Sequence, residues 1–203
     1  MTTGAHAPSA VGIIGGTFDP IHYGHLIAAS EVADQLSLDC VVFVPAGRPW
    51  KKGGSGQANA EDRYEMTVLA TRGDPRFRVD RCDIDRPGPT YTVDTLRDLR
   101  DSLGPDARLH LIIGADSREE MSTWRDPEEV MSAAQVVAVS RAGHHSEAPP
   151  LPTGSVTDVK IPDMEISSTD IRGRVASGRS IRYLLPEPVR LFILQHGLYQ
   201  EAP

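Results

Sequence analysis

The sequence predicts an α/β fold in which a doubly wound parallel sheet carries helices on both faces. Three observations predict it. Short, nearly continuous apolar runs recur at residues 11–14, 40–44, 109–113 and 136–139, and such runs fit strands buried on both faces. Helical patterns lie between them, at 22–36, 61–72, 92–103 and 127–133. The first run also ends in a glycine pair, Gly15-Gly16, directly before a helical pattern. Strand–turn–helix junctions of this kind face the ligand side of such sheets.

Each element has its own justification. In the first helix Leu26, Ala29, Ala33 and Leu36 share one face and should pack on the sheet. Cys40 opens the second apolar run and reads as a small buried hydrophobe. Residues 53–60, GGSGQANA, read as a loop. Shorter strands are expected around 77–79 and 156–161. The helix at 127–133 begins with proline after Asp126, which reads as its cap. Residues 142–155 hold three prolines and two adjacent histidines and read as a second long loop. The tail at 188–196 places Val189, Phe192, Ile193 and His196 at helical spacing, and Gly197 reads as the stop. The whole reads as one domain with a core of about residues 10–198 and a small C-terminal helical part.

Composition narrows the function. A length of 203 residues suits one good-sized core. The net charge of −7 argues against a general nucleic-acid binder. Positive charge is instead concentrated at 48–52 and 172–182. No apolar run approaches a membrane span, and the first ten residues lack the pattern of a secretory leader, so no membrane partner and a cytosolic location are expected. Two cysteines, Cys40 and Cys82, are too few for a disulfide scaffold and form no CxxC pair. The chain contains neither GxxxxGK[ST] nor GxGxxG, so neither a P-loop nucleotidase nor an ordinary dinucleotide oxidoreductase is supported. A homo-oligomer is compatible with the sequence but not specified by it.

Two segments carry chemistry. The first is GGTFDPIHYGH, Gly15 to His25. It predicts a glycine turn followed by a helix whose first turn holds His22 and His25. A helix N-terminus offers unpaired N–H groups and a positive dipole end, which suits phosphate. Histidines three apart share a helix face and can reach one anion. Two further ligands for a zinc ion are missing nearby. Asp19 reads equally as a helix N-cap or a site residue. The second segment is ISSTDIRGR, Ile166 to Arg174. Ser167, Ser168 and Thr169 suit a helix cap, and Arg172 follows one turn in. By itself this reads as a capped helix or a second anion site. With the first segment it suggests a polyphosphate held between two helix ends.

GGTFDPIHYGH together with ISSTDIR resembles the nucleotidyltransferase superfamily of Rossmann-like adenylyl- and cytidylyltransferases. Pro89-Thr90-Tyr91-Thr92-Val93-Asp94-Thr95-Leu96, Gly114-Ala115-Asp116-Ser117 and Trp124 narrow the resemblance to the bacterial nicotinate-mononucleotide adenylyltransferases. The resemblance runs from Val11 to about Leu198. It implies transfer of AMP from ATP to nicotinate mononucleotide, giving deamido-NAD and pyrophosphate, with Mg²⁺ and without a covalent enzyme intermediate. It further implies that His22 and His25 contact the ATP phosphates, and that the backbone of Gly15, Gly16, Thr17 and Phe18 holds the mononucleotide phosphate or the α-phosphate. Ser168, Thr169 and Arg172 would hold the departing phosphates. Lys51 matches a family lysine, with Lys52 beside it leaving the register open.

For the acceptor, Trp124 can stack on the pyridinium ring, and Thr92 can present hydroxyl and N–H to a carboxylate. Gly114 and Asp116, just past a core strand, are placed for the ATP side, with Asp116 reading as a ribose ligand or a cap. Arg125 stands where the family commonly has an aromatic residue. Trp50 reads as a lid residue or a surface anchor, and Tyr91 as packing. The rival readings are phosphopantetheine or nicotinamide-mononucleotide adenylyltransferase, and a nucleotide-binding regulatory module without catalysis.

Overall fold

A computed structural model describes residues 9–49, 57–141 and 156–200. The chain runs β1 (Ala10–Gly16), α1 (Tyr23–Gln35), β2 (Cys40–Pro45), α2 (Ala60–Thr71), β3 (Phe77–Val79), α3 (Cys82–Asp85) and α4 (Thr92–Leu103). It continues through β4 (Arg108–Gly114), α5 (Ala115–Glu120), a 3₁₀ turn (Met121–Thr123), α6 (Pro127–Ala133), β5 (Gln135–Arg141), β6 (Val156–Ile161), α7 (Ser168–Ala176) and α8 (Glu187–Gln195).

All five strand pairings are parallel, and the sheet order is β3-β2-β1-β4-β5-β6. The chain therefore winds outward from β1 to β3, returns to β4 beside β1, and winds outward the other way. The reversal opens a crevice between the carboxyl ends of β1 and β4, the place where doubly wound sheets bind ligands. Gly15 and Gly16 end one of these strands and Gly114 ends the other.

Alternating side chains along each strand feed two cores. Ala10 and Ile14 of β1 join Ala29 and Val32 of α1, Met66 of α2, Ile171 of α7 and Val189 and Ile193 of α8 on one face. Val11 and Ile13 join Val93, Leu96 and Leu99 of α4 and Val130 of α6 on the other. The expected face of α1 is present: Ala29 and Ala33 are buried, and Leu26 and Leu36 pack beside them. Cys40 is buried, and burial pushes its thiol up from the ordinary range.

Local differences from the sequence reading have physical causes. His22 is the N-cap of α1 in extended conformation, so only His25 lies inside the helix. Asp19 is consequently not a cap; it is buried beneath the turn. The end of the stretch read as a glycine-rich loop is built into the fold. Ala58 is buried, and the side chain of Asn59 caps α2 by accepting the Asp62 N–H at 2.8 Å. Asp126 does occupy the N-cap position of α6, but at φ +48 its side chain makes no capping bond. Gly197, at φ +60, follows the end of α8 as expected. α3, α5 and the 3₁₀ turn are too short to leave a periodicity in the sequence. The expected loop at 142–155 lies outside the described residues. Among the described residues no helix is long and apolar enough to cross a membrane.

Candidate active site

The turn between β1 and α1 is fixed from below. Phe18 adopts φ +50, a left-handed conformation uncommon for a side-chain-bearing residue, and its ring is buried. That ring meets His25 edge-on, with centroids 5.1 Å apart, and leans on Phe43 at 5.9 Å. The His22 N–H, one of the amides that a helix start leaves without a helical partner, donates to His25 Nδ1 at 3.2 Å. Because Nδ1 accepts, Nε2 is the nitrogen of His25 that carries the proton. The two imidazoles lie 3.9 Å apart and are tilted by 31°. They form a paired cap on the positive end of a 13-residue helix.

Gly24, between the two histidines, is required by close approach. A Cβ there would lie 3.0 Å from Cε1 and Nδ1 of His22. Gly24→Ala should therefore leave α1 as stable as before, or more stable by at most ~1 kcal/mol, because alanine is the better helix former. Activity should fall roughly tenfold as the His22 ring is displaced. Melting curves beside steady-state rates check this; a wild-type rate would show that the position of that ring is unimportant.

A cleft of about 860 Å³ opens above the sheet crevice, within the range typical of small-molecule sites. Gly15, Gly16, Thr17, His22 and His25 line one side, Gly114 and Asp116 the middle, and Thr92 and Trp124 the other side. The structure thus brings residues from both ends of the motif list to one cavity. Thr92 is the first residue of α4 and Tyr91 its N-cap. Trp124 is half-buried against the α4 core and still reaches the cleft. Asp116 is exposed in the first turn of α5 while Gly114 holds the N-cap position, so its cap reading lapses. Arg125 stacks its guanidinium over Tyr91, 4.8 Å from the ring centroid.

The second motif packs onto the first. Ser167 caps α7 by accepting the Asp170 N–H at 3.1 Å. The Ser168 hydroxyl donates to the Pro20 carbonyl at 2.9 Å, and Arg172 Nη1 donates to the Asp19 carbonyl at 2.7 Å. Thr169 is exposed and accepts from Arg172 Nη2 at 3.4 Å. Ser168, Thr169 and Arg172 therefore border the histidine turn, but they do not line the cleft; Ile166, just ahead of them, does. Phe18 is likewise absent from the lining, and its ring serves to hold His25. Lys51, with Trp50 and Lys52, lies outside the described residues.

Two contributors escaped the sequence reading. Asp83 lines the cleft near Thr92, accepting the Thr95 hydroxyl at 2.7 Å and Arg86 Nη1 at 2.9 Å. Burial pushes its carboxyl up, while those two donors pull the other way. The second is Tyr199, whose hydroxyl donates to Asp19 Oδ1 beneath the histidine turn. Neither belongs to a recognisable motif.

A paired-histidine helix end and a cleft lined by Thr92 and Trp124, placed across the switch point of a doubly wound sheet, describe a nucleotide-handling α/β protein. Residues 13–174 match the family model described as cytidylyltransferase-like. A Streptomyces coelicolor protein named "Probable nicotinate-nucleotide adenylyltransferase" is 56% identical over 187 residues, covering 92% of this chain and 99% of the relative. A Corynebacterium kroppenstedtii protein of the same name is 55% identical, covering 98% and 94%. Among solved structures, the Plasmodium falciparum nicotinic acid mononucleotide adenylyltransferase complexed with NaAD superposes with a TM-score of 0.76 at 17% identity, covering 96% of this chain and 98% of that one. That likeness shows the shared fold. The chain belongs to the cytidylyltransferase-like family and, within it, to the nicotinate-nucleotide adenylyltransferases.

Proposed function

We propose that this chain transfers the adenylyl group of ATP to nicotinate mononucleotide, giving nicotinic acid adenine dinucleotide and pyrophosphate. The observation that carries this is the single cleft that holds His22 and His25 at one side and Thr92 and Trp124 at the other. A phosphate oxygen of the mononucleotide attacks the α-phosphorus in line. The bond from the α-phosphorus to the bridging oxygen breaks, and pyrophosphate leaves. No enzyme nucleophile is needed, and the two thiols are pushed up by burial, which makes them poor ones. Catalysis then rests on positioning and charge stabilisation.

In this reading His25 Nε2–H donates to the α-phosphate as charge builds on it, and His22 takes the neighbouring phosphate. The backbone of Gly15, Gly16, Thr17 and Phe18 seats the reacting phosphates. Gly114 and Asp116 hold the adenosine end. Ser168, Thr169, Arg172 and Lys51 receive the β- and γ-phosphates. Thr92 and Trp124 hold the nicotinate carboxylate and ring. Among the described residues no group of three or more His, Cys, Asp or Glu could hold a metal ion; Mg²⁺ would enter on the triphosphate oxygens of the substrate. Bound there, the ion would neutralise phosphate charge. The nucleotide substrates put the proposed reaction in the cytosol.

The test is pyrophosphate release with ATP and, in turn, nicotinate mononucleotide, nicotinamide mononucleotide and phosphopantetheine. The nicotinate substrate should give the highest kcat/KM, by roughly tenfold or more over the amide. Equal or better use of the amide would overturn the acceptor assignment. ATP binding without turnover of any acceptor would favour a binding module.

A further inference from the structure

We infer that Tyr199, at the far end of the chain, is a positioning residue for Arg172 and acts through the buried carboxylate of Asp19. Asp19 is 2% exposed. Its Oδ1 accepts two hydrogen bonds, from the Tyr199 hydroxyl at 2.7 Å and from the Ala58 N–H at 3.1 Å. Its Oδ2 has no hydrogen-bond donor among the described residues and faces Arg172 Nη1 at 3.8 Å. The same Nη1 donates to the Asp19 carbonyl. One buried residue thus joins the turn before the histidines, the segment ahead of α2, the start of α7 and the C-terminal segment.

The arrangement divides the labour between the two carboxylate oxygens. With Oδ1 saturated by Tyr199 and Ala58, the carboxylate is held in one orientation, and the guanidinium can rest on the backbone carbonyl with Oδ2 at ion-pair distance. Burial, then Asp19 itself, pushes the Tyr199 phenol up, so it stays an O–H donor at working pH. Tyr199 also sits at φ +62, a left-handed conformation that persists in a side-chain-bearing residue only where its surroundings demand it. Without the phenol hydroxyl, Oδ1 keeps one donor of two. A buried carboxylate short of a donor recovers most cheaply by recruiting the nearest cation. Arg172 would then turn into the carboxylate and away from the β- and γ-phosphates.

The inference rests on the proposed role of Arg172 as a phosphate ligand, and the test separates the two. The readout is the Kd of magnesium ATP for the purified protein by calorimetry, which needs no acceptor. Tyr199→Phe keeps the ring and should weaken ATP about tenfold, Arg172→Ala about tenfold or more, and the double variant no more than Arg172→Ala alone. The KM for nicotinate mononucleotide should stay at the wild-type value in Tyr199→Phe. A purely structural role would lower the melting temperature and leave the ATP Kd of the folded protein unmoved, and that result overturns the inference. Additive losses in the double variant overturn it too, since Tyr199 would then act by another route. If Arg172→Ala binds ATP normally, the phosphate role of Arg172 fails first and takes the inference with it. Should Tyr199→Phe not fold, Asp19→Asn carries the test in the other direction with the phenol intact: no carboxylate is left to draw Arg172 in, so ATP affinity should stay near the wild-type value, and a tenfold loss there overturns the inference.

Discussion

Replacing His25 with alanine is expected to lower kcat by about 10²–10³-fold, the usual effect of removing one donor from a developing oxyanion, while the KM for nicotinate mononucleotide stays within about twofold. The direction follows from where the ring is tied down. Phe18 meets it at a near-right angle, the tilted His22 ring lies 3.9 Å from it, and the His22 N–H donates to Nδ1. Three constraints leave the ring little freedom, so Nε2 is pre-aimed and costs no reorganisation as charge builds on the α-phosphate. In the proposed reading the acceptor is held by Thr92 and Trp124, which also line the cleft, so its ground-state affinity should not register the loss. The close pair also predicts non-additivity: with rings 3.9 Å apart, truncating His22 removes one of the contacts that aim His25. The double variant should therefore be little worse than the worse single one. Steady-state rates at saturating ATP measure both. A raised KM with kcat intact would remove His25 from the reacting centre.

Much of this site was legible because its chemistry is local in sequence. Gly15 to His25 is a strand end, a turn and a helix start in eleven consecutive residues, so the strand–turn–helix geometry could be read directly. The strands were legible for a related reason: burial on both faces leaves uninterrupted apolar runs. What escaped depends on contacts distant in the chain. Asp19 reads equally as a cap or a site residue until Tyr199, 180 residues on, is seen to donate to it. Arg172 reads as a free phosphate ligand until the fold sets it against the Asp19 carbonyl, 153 residues back. Asp83 is one acid among many until the fold sets it beside Thr95. His22 was placed one position too far into the helix, because a histidine with N-cap dihedrals has no sequence signature to set it apart from one in the first turn. Such pairings carry no periodicity and no motif, and they are the ones that decide how the ends of the cleft are held together.

Gly47→Ala is expected to be the most damaging added methyl among the described glycines. Gly47 follows β2 and packs directly against α3. A Cβ there would lie 2.1 Å from the Asp83 carbonyl oxygen, 2.9 Å from its carbon and 3.0 Å from the Ile84 Cα. All three are backbone atoms, so no side-chain rotation relieves the overlap, and β2 and α3 must part. Two bonds to the glycine go with them: its N–H donates to the Thr90 hydroxyl at 3.1 Å, and its carbonyl accepts from Arg63 Nη2 at 3.2 Å. The cost should be on the order of 3 kcal/mol, a fall in melting temperature of roughly 10 °C for a chain of this size. The effect should also be felt in the chemistry. Arg63 donates to the Thr17 carbonyl at 2.7 Å, so a displaced Arg63 loosens the turn proposed to seat the phosphates. Asp83 and Thr90 line the cleft alongside Thr92, so the KM for the mononucleotide should rise as well, in contrast to His25→Ala. Gly73→Ala is the matched control, since a Cβ there meets nothing within 4 Å and should leave both melting and kinetics unchanged. If Gly47→Ala behaves like that control, the close packing of α3 against the end of β2 is wrong, and with it the rigid acceptor wall that packing implies.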